Sequence, residues 1–267
     1  MDRIADLTTE ALGRILTGPL PCVALLPVGS VEPHGPHLPL GTDTVISVEA
    51  ARRAVDLLAR EGVVALLAPP IPYGVTRFAD GFAGAISTPA EALLPFVRAV
   101  VDGYLAARFA HVVLINNHLE PEQDAAIRAA IAGLPEGHAS VASPLTPRWA
   151  RTLSDEFKSG ACHAGRYESS IVLAAHSRAE GGVVDEAVMR SLPDVNVSLS
   201  KGIHAGATSF KAMGLDRAYT GAPREATAEE GHDLLDRLAR MVATEASEGL
   251  RARALPAGPG ENGGPGS

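Results

Sequence analysis

The chain has 267 residues, 46% hydrophobic and 20% charged, which suits one large domain with a sizeable core. Aromatic residues make up only 4%, so that core is expected to be aliphatic. A formal net charge of −8 and the lack of a basic block argue against nucleic acid and anionic membrane surfaces as partners.

The N-terminal stretch MDRIADLTTEALGRIL has early acidic residues and no apolar signal core, and no apolar run approaches membrane-spanning length. Two cysteines, Cys22 and Cys162, are too few for a disulfide framework. These features predict a soluble, cytoplasmic protein. Cys162 precedes a histidine, yet a small buried hydrophobe is its simpler reading.

In chain order, CVALLPVG (22–29) reads as a buried strand. TVISVEAARRAVDLLAREG (44–62) reads as a helix with Val48, Ala51, Val55 and Leu58 on one face. VVALLAPPI (63–71) is a second buried run, ended by prolines. Thr88-Pro-Ala-Glu91 has the form of a capping box, opening a helix that aligns Leu93, Val97, Val100 and Tyr104. HVVLINNH (111–118) is a third strand, PEQDAAIRAAIAGL (121–134) a helix and ASVASP (139–144) a short strand. ESSIVLAAHS (168–177) reads as helical. Thr227-Ala-Glu-Glu230 is a second capping box, for a helix running to about residue 250. Residues 1–250 are expected to form one domain, and the Pro/Gly-rich stretch 251–267 a disordered tail. Continuous apolar strands between helices imply an α/β protein with a parallel sheet covered on both faces.

The chemistry concentrates in VGSVEPHGPHLPLGTDT (28–44), where Glu32, His34, His37 and Asp43 lie among prolines and glycines. Glu32 and His34 follow the first strand, and His118 and Glu120 follow the third. The two-residue spacing puts both side chains of a pair on one side of an extended backbone. Ligands of open parallel sheets bind beyond the carboxyl ends of the strands, so both pairs can aim at one point. Each residue also has an ordinary structural explanation. Asp43 suits a helix cap, Glu32 and His34 a solvated pair, and His118 a strand-end histidine bonded to backbone. Together they point to a site. Nitrogen and carboxylate ligands suit Zn²⁺ or Mn²⁺, and five ligands suit two cations sharing a bridging aspartate better than one tetrahedral zinc.

This loop resembles the signature of the creatininase (creatinine amidohydrolase) family. The resemblance extends over about residues 22–235 and includes PPIPYG (69–74), INNHLEP (115–121), HAGRYESS (163–170) and TGAPREATAEEG (220–231). It implies a dinuclear metal hydrolase on a three-layer αβα sandwich with a mostly parallel sheet, commonly a hexamer. By that resemblance Glu32 and His118 hold one metal, His34 and Glu120 the other, and Asp43 bridges them. The metals would be two divalent ions, Zn and/or Mn. His163 would be the acid/base at the leaving nitrogen, Glu120 a proton acceptor, and Glu168 an orienting carboxylate. His163 and Glu168 also read plainly as a helix-start histidine and a first-turn glutamate.

The implied activity is cleavage of an amide-type C–N bond of a small substrate, cyclic or formylated compounds included, by a metal-bridging hydroxide. The alternatives are a C–C hydrolase opening a carbocyclic ketone with the same metals, or a non-catalytic metal- or ligand-binding member. The chain departs from the family pattern at Asn116-Asn-His-Leu-Glu-Pro121, at Phe82-Ala-Gly-Ala-Ile-Ser87 and at Glu168-Ser-Ser170. A single tryptophan, Trp149, argues against creatinine, a flat ring that gains from stacking. Polar groups around the pocket would fit a more hydroxylated or larger substrate. Arg166 and Tyr167 are candidates to line that pocket, His204 and Lys201 to reach a substrate, and His37 to pack within its own loop. The glycines of 75–87 suggest a mobile or closely approached loop.

Overall fold

The computed structural model describes residues 3–176 and 182–254. Four strands form one sheet in the order β2-β1-β3-β4: β1 Cys22–Val28, β2 Val64–Leu67, β3 His111–Asn116 and β4 Ala139–Ala142. All three pairings are parallel. Every residue of β1 and β3 is buried, as continuous apolar runs covered on both faces require.

The two faces carry separate cores. Val23, Leu25, Val113 and Ile115 pack toward α2 (Thr42–Arg60), α7 (Arg166–Ala175) and α10 (Ala228–Ala254). Ala24, Leu26, Val112 and Leu114 pack toward α1 (Thr9–Leu16), α3 (Ala90–Ala106) and α4 (Pro121–Ile131). Alternation along each strand thus divides one apolar run between two helix layers, and the expected three-layer αβα sandwich is the fold. Between β4 and α10 lie the short helices α5 (Pro147–Ala150), α6 (Asp155–Ser159), α8 (Glu186–Ser191) and α9 (Leu199–His204). No helix among the described residues is long and apolar enough to cross a membrane.

Three local expectations change. At the first proposed capping box, α3 begins at Ala90 with Pro89 as its N-cap and no side-chain cap bond. Thr88 instead gives its N–H to the Gly74 carbonyl at 2.7 Å, which holds it in the incoming loop. The second box is half formed: the Glu230 N–H donates to Thr227 Oγ at 3.1 Å, but the Thr227 N–H donates to Ser170 Oγ at 3.1 Å. Helix α10 also continues to Ala254, so residues 251–254 of the expected tail are helical and the remainder lies outside the described residues.

The sheet order places β1 between β2 and β3, with α2 on one face and α4 on the other. The carboxyl ends of β1 and β3 therefore flank a switch point, where an open α/β sheet leaves a crevice. Val28 and Asn116 are register partners there, so the loops that follow them start side by side.

Candidate metal centre

The loop from Gly29 to Gly41 closes on itself before α2 begins. The Glu32 N–H donates to the Leu40 carbonyl at 3.0 Å, and the Gly35 N–H to the Ala218 carbonyl at 2.8 Å. Gly35 has φ +64° and its missing Cβ would meet the His37 ring, so the turn between the histidines needs glycine there. The prolines and these bonds bring Glu32 and His34 back over the start of α2, where Asp43 occupies the first turn.

Asp43 is the hub. Its Oδ1 lies 3.2 Å from His34 Nε2 and its Oδ2 lies 3.1 Å from His118 Nδ1. The Ser30 hydroxyl donates to Oδ2 at 2.7 Å. His118 Nδ1 also faces Glu32 Oε1 at 3.2 Å, and its Nε2 lies 4.0 Å from Glu120 Oε2. His34 Nε2 faces Glu168 Oε2 at 3.6 Å and Glu32 Oε1 at 3.8 Å. All six side chains are buried.

These atoms form two main groups. Glu32, His118 and Glu120 make one, and His34, Asp43 and Glu168 the other, each with candidate ligand atoms within 4.8 Å of one another. The grouping differs from the expected pairing of His34 with Glu120. Glu120 follows His118 by two residues and stays on its side of the cluster. Glu168 reaches His34 from the first turn of α7. A third group, Glu32, His34 and His163, overlaps both.

Neighbouring residues hold these side chains in place. His118 Nε2 donates to the Val75 carbonyl at 2.6 Å, and the Thr76 hydroxyl donates to Glu32. The backbone N–H groups of Arg77 and Phe78 donate to Glu120 at 3.0 and 3.2 Å. A single segment, 75–78, thus supports three candidate ligands. Backbone donors have no residue signature, and nothing in the sequence singles out Thr76. On the other side, the Ala164 N–H donates to Glu168 at 2.6 Å from a left-handed residue (φ +50°).

The donor set fits divalent cations. His34 gives its Nδ1–H to the Glu32 carbonyl at 3.1 Å, and its buried Nε2 makes no well-aligned hydrogen bond while facing three carboxylates. His118 likewise spends Nε2 on backbone and turns Nδ1 inward. Backbone carbonyls fix the tautomer in this way when an imidazole is a ligand.

The electrostatics show the same demand for positive charge. Burial opposes charge on His34, but Asp43, Glu168 and Glu32 outweigh it and push its pKa up to about 10. Burial is similarly outweighed at His118, which Glu32 and Asp43 hold well above the usual imidazole range. Burial would raise Asp43, yet His34 and His118 keep it well below the usual carboxylate range. Burial pushes Glu168 up to about 8 and Glu120 up to about 7. Burial, then His34, lowers His163 to about 4. Protonated imidazoles balance the buried carboxylates, and a divalent cation would displace those protons.

His163 lies at the edge of the cluster. Its Nε2 donates to the Pro33 carbonyl at 2.9 Å and its Nδ1 lies 3.9 Å from Glu32 Oε1. The Phe210 ring stacks on it, with centroids 4.4 Å apart and planes 26° from parallel. A cavity of 320 Å³ opens outward from the ligands, walled by Phe78, Leu119, Phe157, Leu199, Ile203 and Phe210. The wall is mainly apolar, which does not offer the polar surroundings that a more hydroxylated substrate would fit. Short helices α6 and α9 supply much of it, and neither spans enough turns to announce an apolar face in sequence. His204 lines the cavity. Arg166 instead pairs with Glu225 and Glu230, and Tyr167 packs against Phe157. His37 bonds Ser169 Oγ through Nε2 at 2.8 Å, tying the loop to α7. A larger open depression of 910 Å³ beside His176, Arg190 and His232 contains none of the ligands.

A family model described as Creatininase: Creatinine amidohydrolase matches residues 5–245. The chain is 33% identical over 234 residues to a mycofactocin precursor peptide peptidase of Mycobacterium ulcerans, spanning 82% of this chain and 85% of that protein. It is 28% identical over 151 residues to a 3-dehydro-scyllo-inosose hydrolase of Thermotoga maritima, 56% of this chain and 46% of that protein. A solved structure described as creatininase Mn matches with a TM-score of 0.66 at 20% identity, over 92% of this chain and 98% of that one. The match over nearly the whole length, together with the cluster of buried carboxylates and imidazoles, places the chain in the creatininase family of metal-dependent hydrolases.

Proposed function

We propose that this chain hydrolyses an amide-type C–N bond using two divalent cations, Zn and/or Mn, at the Asp43 cluster. The observation that carries the reading is the division of Asp43, one oxygen toward His34 and the other toward His118. In this proposal Glu32, His118 and Glu120 hold one cation, His34 and Glu168 hold the other, and Asp43 bridges. Glu168 thus becomes a ligand as well as an orienting group. When bound, the pair would polarise a carbonyl and acidify a water.

The chain's own groups handle the protons. His163 commits its Nε2–H to the Pro33 carbonyl, which leaves Nδ1 turned inward to take a proton and pass it to the departing nitrogen. Glu120, fixed by the Arg77 and Phe78 N–H groups, would accept a proton from the attacking water. Phe210 covers one face of His163 and keeps water from it.

The peptidase relative, matched over most of both chains, favours an amide within a peptide. The cytoplasmic, homo-oligomeric form, a hexamer by family resemblance, belongs to the same proposal. The test is incubation of the protein, loaded with Mn²⁺ or Zn²⁺, with short N-acyl peptides, cyclic amides and formamides. Release of a new amine that chelation abolishes supports the reading. Opening of carbocyclic ketones alone would replace it with C–C hydrolysis, and metal binding without turnover with a binding role.

A further inference from the structure

The cavity beyond the ligands has an uneven chemistry. The protein has six phenylalanines in all, and three of them, Phe78, Phe157 and Phe210, line this one cavity. Leu199 and Ile203 of α9 complete the apolar surface. Its 320 Å³ exceeds what a single small planar ring needs and matches the lower range of ligand pockets. Apolar surface of this kind gains from desolvating an apolar group of similar size.

Charge is distributed just as unevenly. Four carboxylates, Glu32, Asp43, Glu120 and Glu168, sit at the inner end. Lys158 is the only lysine or arginine among the described residues lining the cavity. It comes from α6 and its side chain is 42% exposed. Its present partner is Asp155, one helical turn earlier at 2.6 Å and itself 94% exposed. An exposed pair of this kind is weak and gives way readily to another anion. An anionic substrate end held in this cavity has Lys158 as its nearest lysine or arginine on the lining.

We propose that the cavity takes an amide whose leaving side carries a large apolar side chain and a free carboxylate, the form of a C-terminal aromatic or branched aliphatic residue of a short peptide. The side chain occupies the space between Phe157, Phe210 and Ile203, and the carboxylate displaces Asp155 from Lys158. Water adds to the acyl carbon, the C–N bond breaks, and the nitrogen leaves protonated as the free amino acid. This assignment rests on the amide-hydrolase reading above.

The test uses the metal-loaded protein and three compounds: benzoyl-glycyl-phenylalanine, its C-terminal amide, and benzoyl-glycyl-aspartate. Turnover and calorimetric binding are measured separately, for wild type and Lys158→Met. The phenylalanine acid should exceed the amide by roughly three- to tenfold in kcat/KM and the aspartate compound by at least about tenfold. Lys158→Met should remove the acid-over-amide preference, and should do so through KM. Turnover without these preferences, or preferences that survive Lys158→Met, overturns the assignment and leaves amide hydrolysis standing. Binding with these preferences but no turnover overturns the hydrolytic reading and upholds the pocket assignment. Neither binding nor turnover overturns the assignment.

Discussion

His118 Nε2 lies 2.6 Å from the carbonyl oxygen of Val75, and this bond decides which face of the imidazole meets the acidic cluster. With the proton held on Nε2, Nδ1 points to Asp43 at 3.1 Å and to Glu32 at 3.2 Å. The next three residues continue the support, Thr76 to Glu32 and the Arg77 and Phe78 N–H groups to Glu120. The 75–78 segment is therefore a strap across one of the two proposed cation sites.

The strap makes Thr76 a positioning residue. Thr76→Val should weaken cation affinity by roughly 10–100-fold, the usual effect of losing a hydrogen bond to a ligand. Thr76→Ser should restore it, because the hydroxyl rather than the methyl orients Glu32. Competition against a chelator measures both variants. Equal affinity in wild type and Thr76→Val would remove the strap from the account.

Asp43 and His163 should separate binding from turnover. Asp43→Ala should lose both cations, since the carboxylate serves both sites. His163→Ala should keep them and lose about 10²-fold or more in turnover, the range for a general acid–base group. Elemental analysis beside an amide-hydrolysis assay checks the pair. Cations retained in Asp43→Ala would contradict the bridging role.

His111 offers a prediction far from this chemistry. It is buried, gives its Nδ1–H to the Gly137 carbonyl at 2.9 Å and pairs through Nε2 with the Ser140 hydroxyl at 2.8 Å. Burial lowers its pKa from 6.5 to about 4. The unfolded chain therefore binds a proton at a higher pH than the fold does. The stabilising contribution is whole above about pH 6.5 and declines as pH falls toward about 4, by ~3 kcal/mol at most. His111→Gln should flatten that part of the Tm-against-pH curve. Parallel curves for the two proteins would contradict the assignment.

Gly231 tests the packing that carries Glu168. It lies in α10 where a Cβ would strike the Ser170 carbonyl of α7. Gly231→Ala should cost about 1–3 kcal/mol, as overpacked sites do. It should also loosen cation binding, because Glu168 stands two residues before Ser170. Denaturant unfolding and chelator competition read the two effects, and an unchanged midpoint would contradict the close approach.

Much of the site was legible because its ligands sit close together in sequence. Glu32 and His34, and His118 and Glu120, each follow a buried strand by a few residues, and parallel pairing of those strands brings the pairs together. Asp43 lies at the start of the next helix. The grouping of Glu168 with His34 and Asp43 was not legible, because Glu168 arrives from a distant helix whose placement depends on packing between α7, α2 and α10. The strap was hidden because three of its four contacts use backbone groups. The apolar wall was hidden for another reason. A low aromatic content says nothing about where the few aromatics gather, and folding brings Phe78, Phe157 and Phe210 together from separate loops and a short helix.

The central claim is a pair of cations sharing Asp43, with Glu120 on one side and Glu168 on the other. Elemental analysis of wild type, Glu120→Ala and Glu168→Ala after reconstitution with Mn²⁺ or Zn²⁺ tests it most directly. The account predicts about two equivalents per chain in wild type and about one in each variant. No bound transition metal in the reconstituted wild type, or two equivalents retained in both variants, would contradict it.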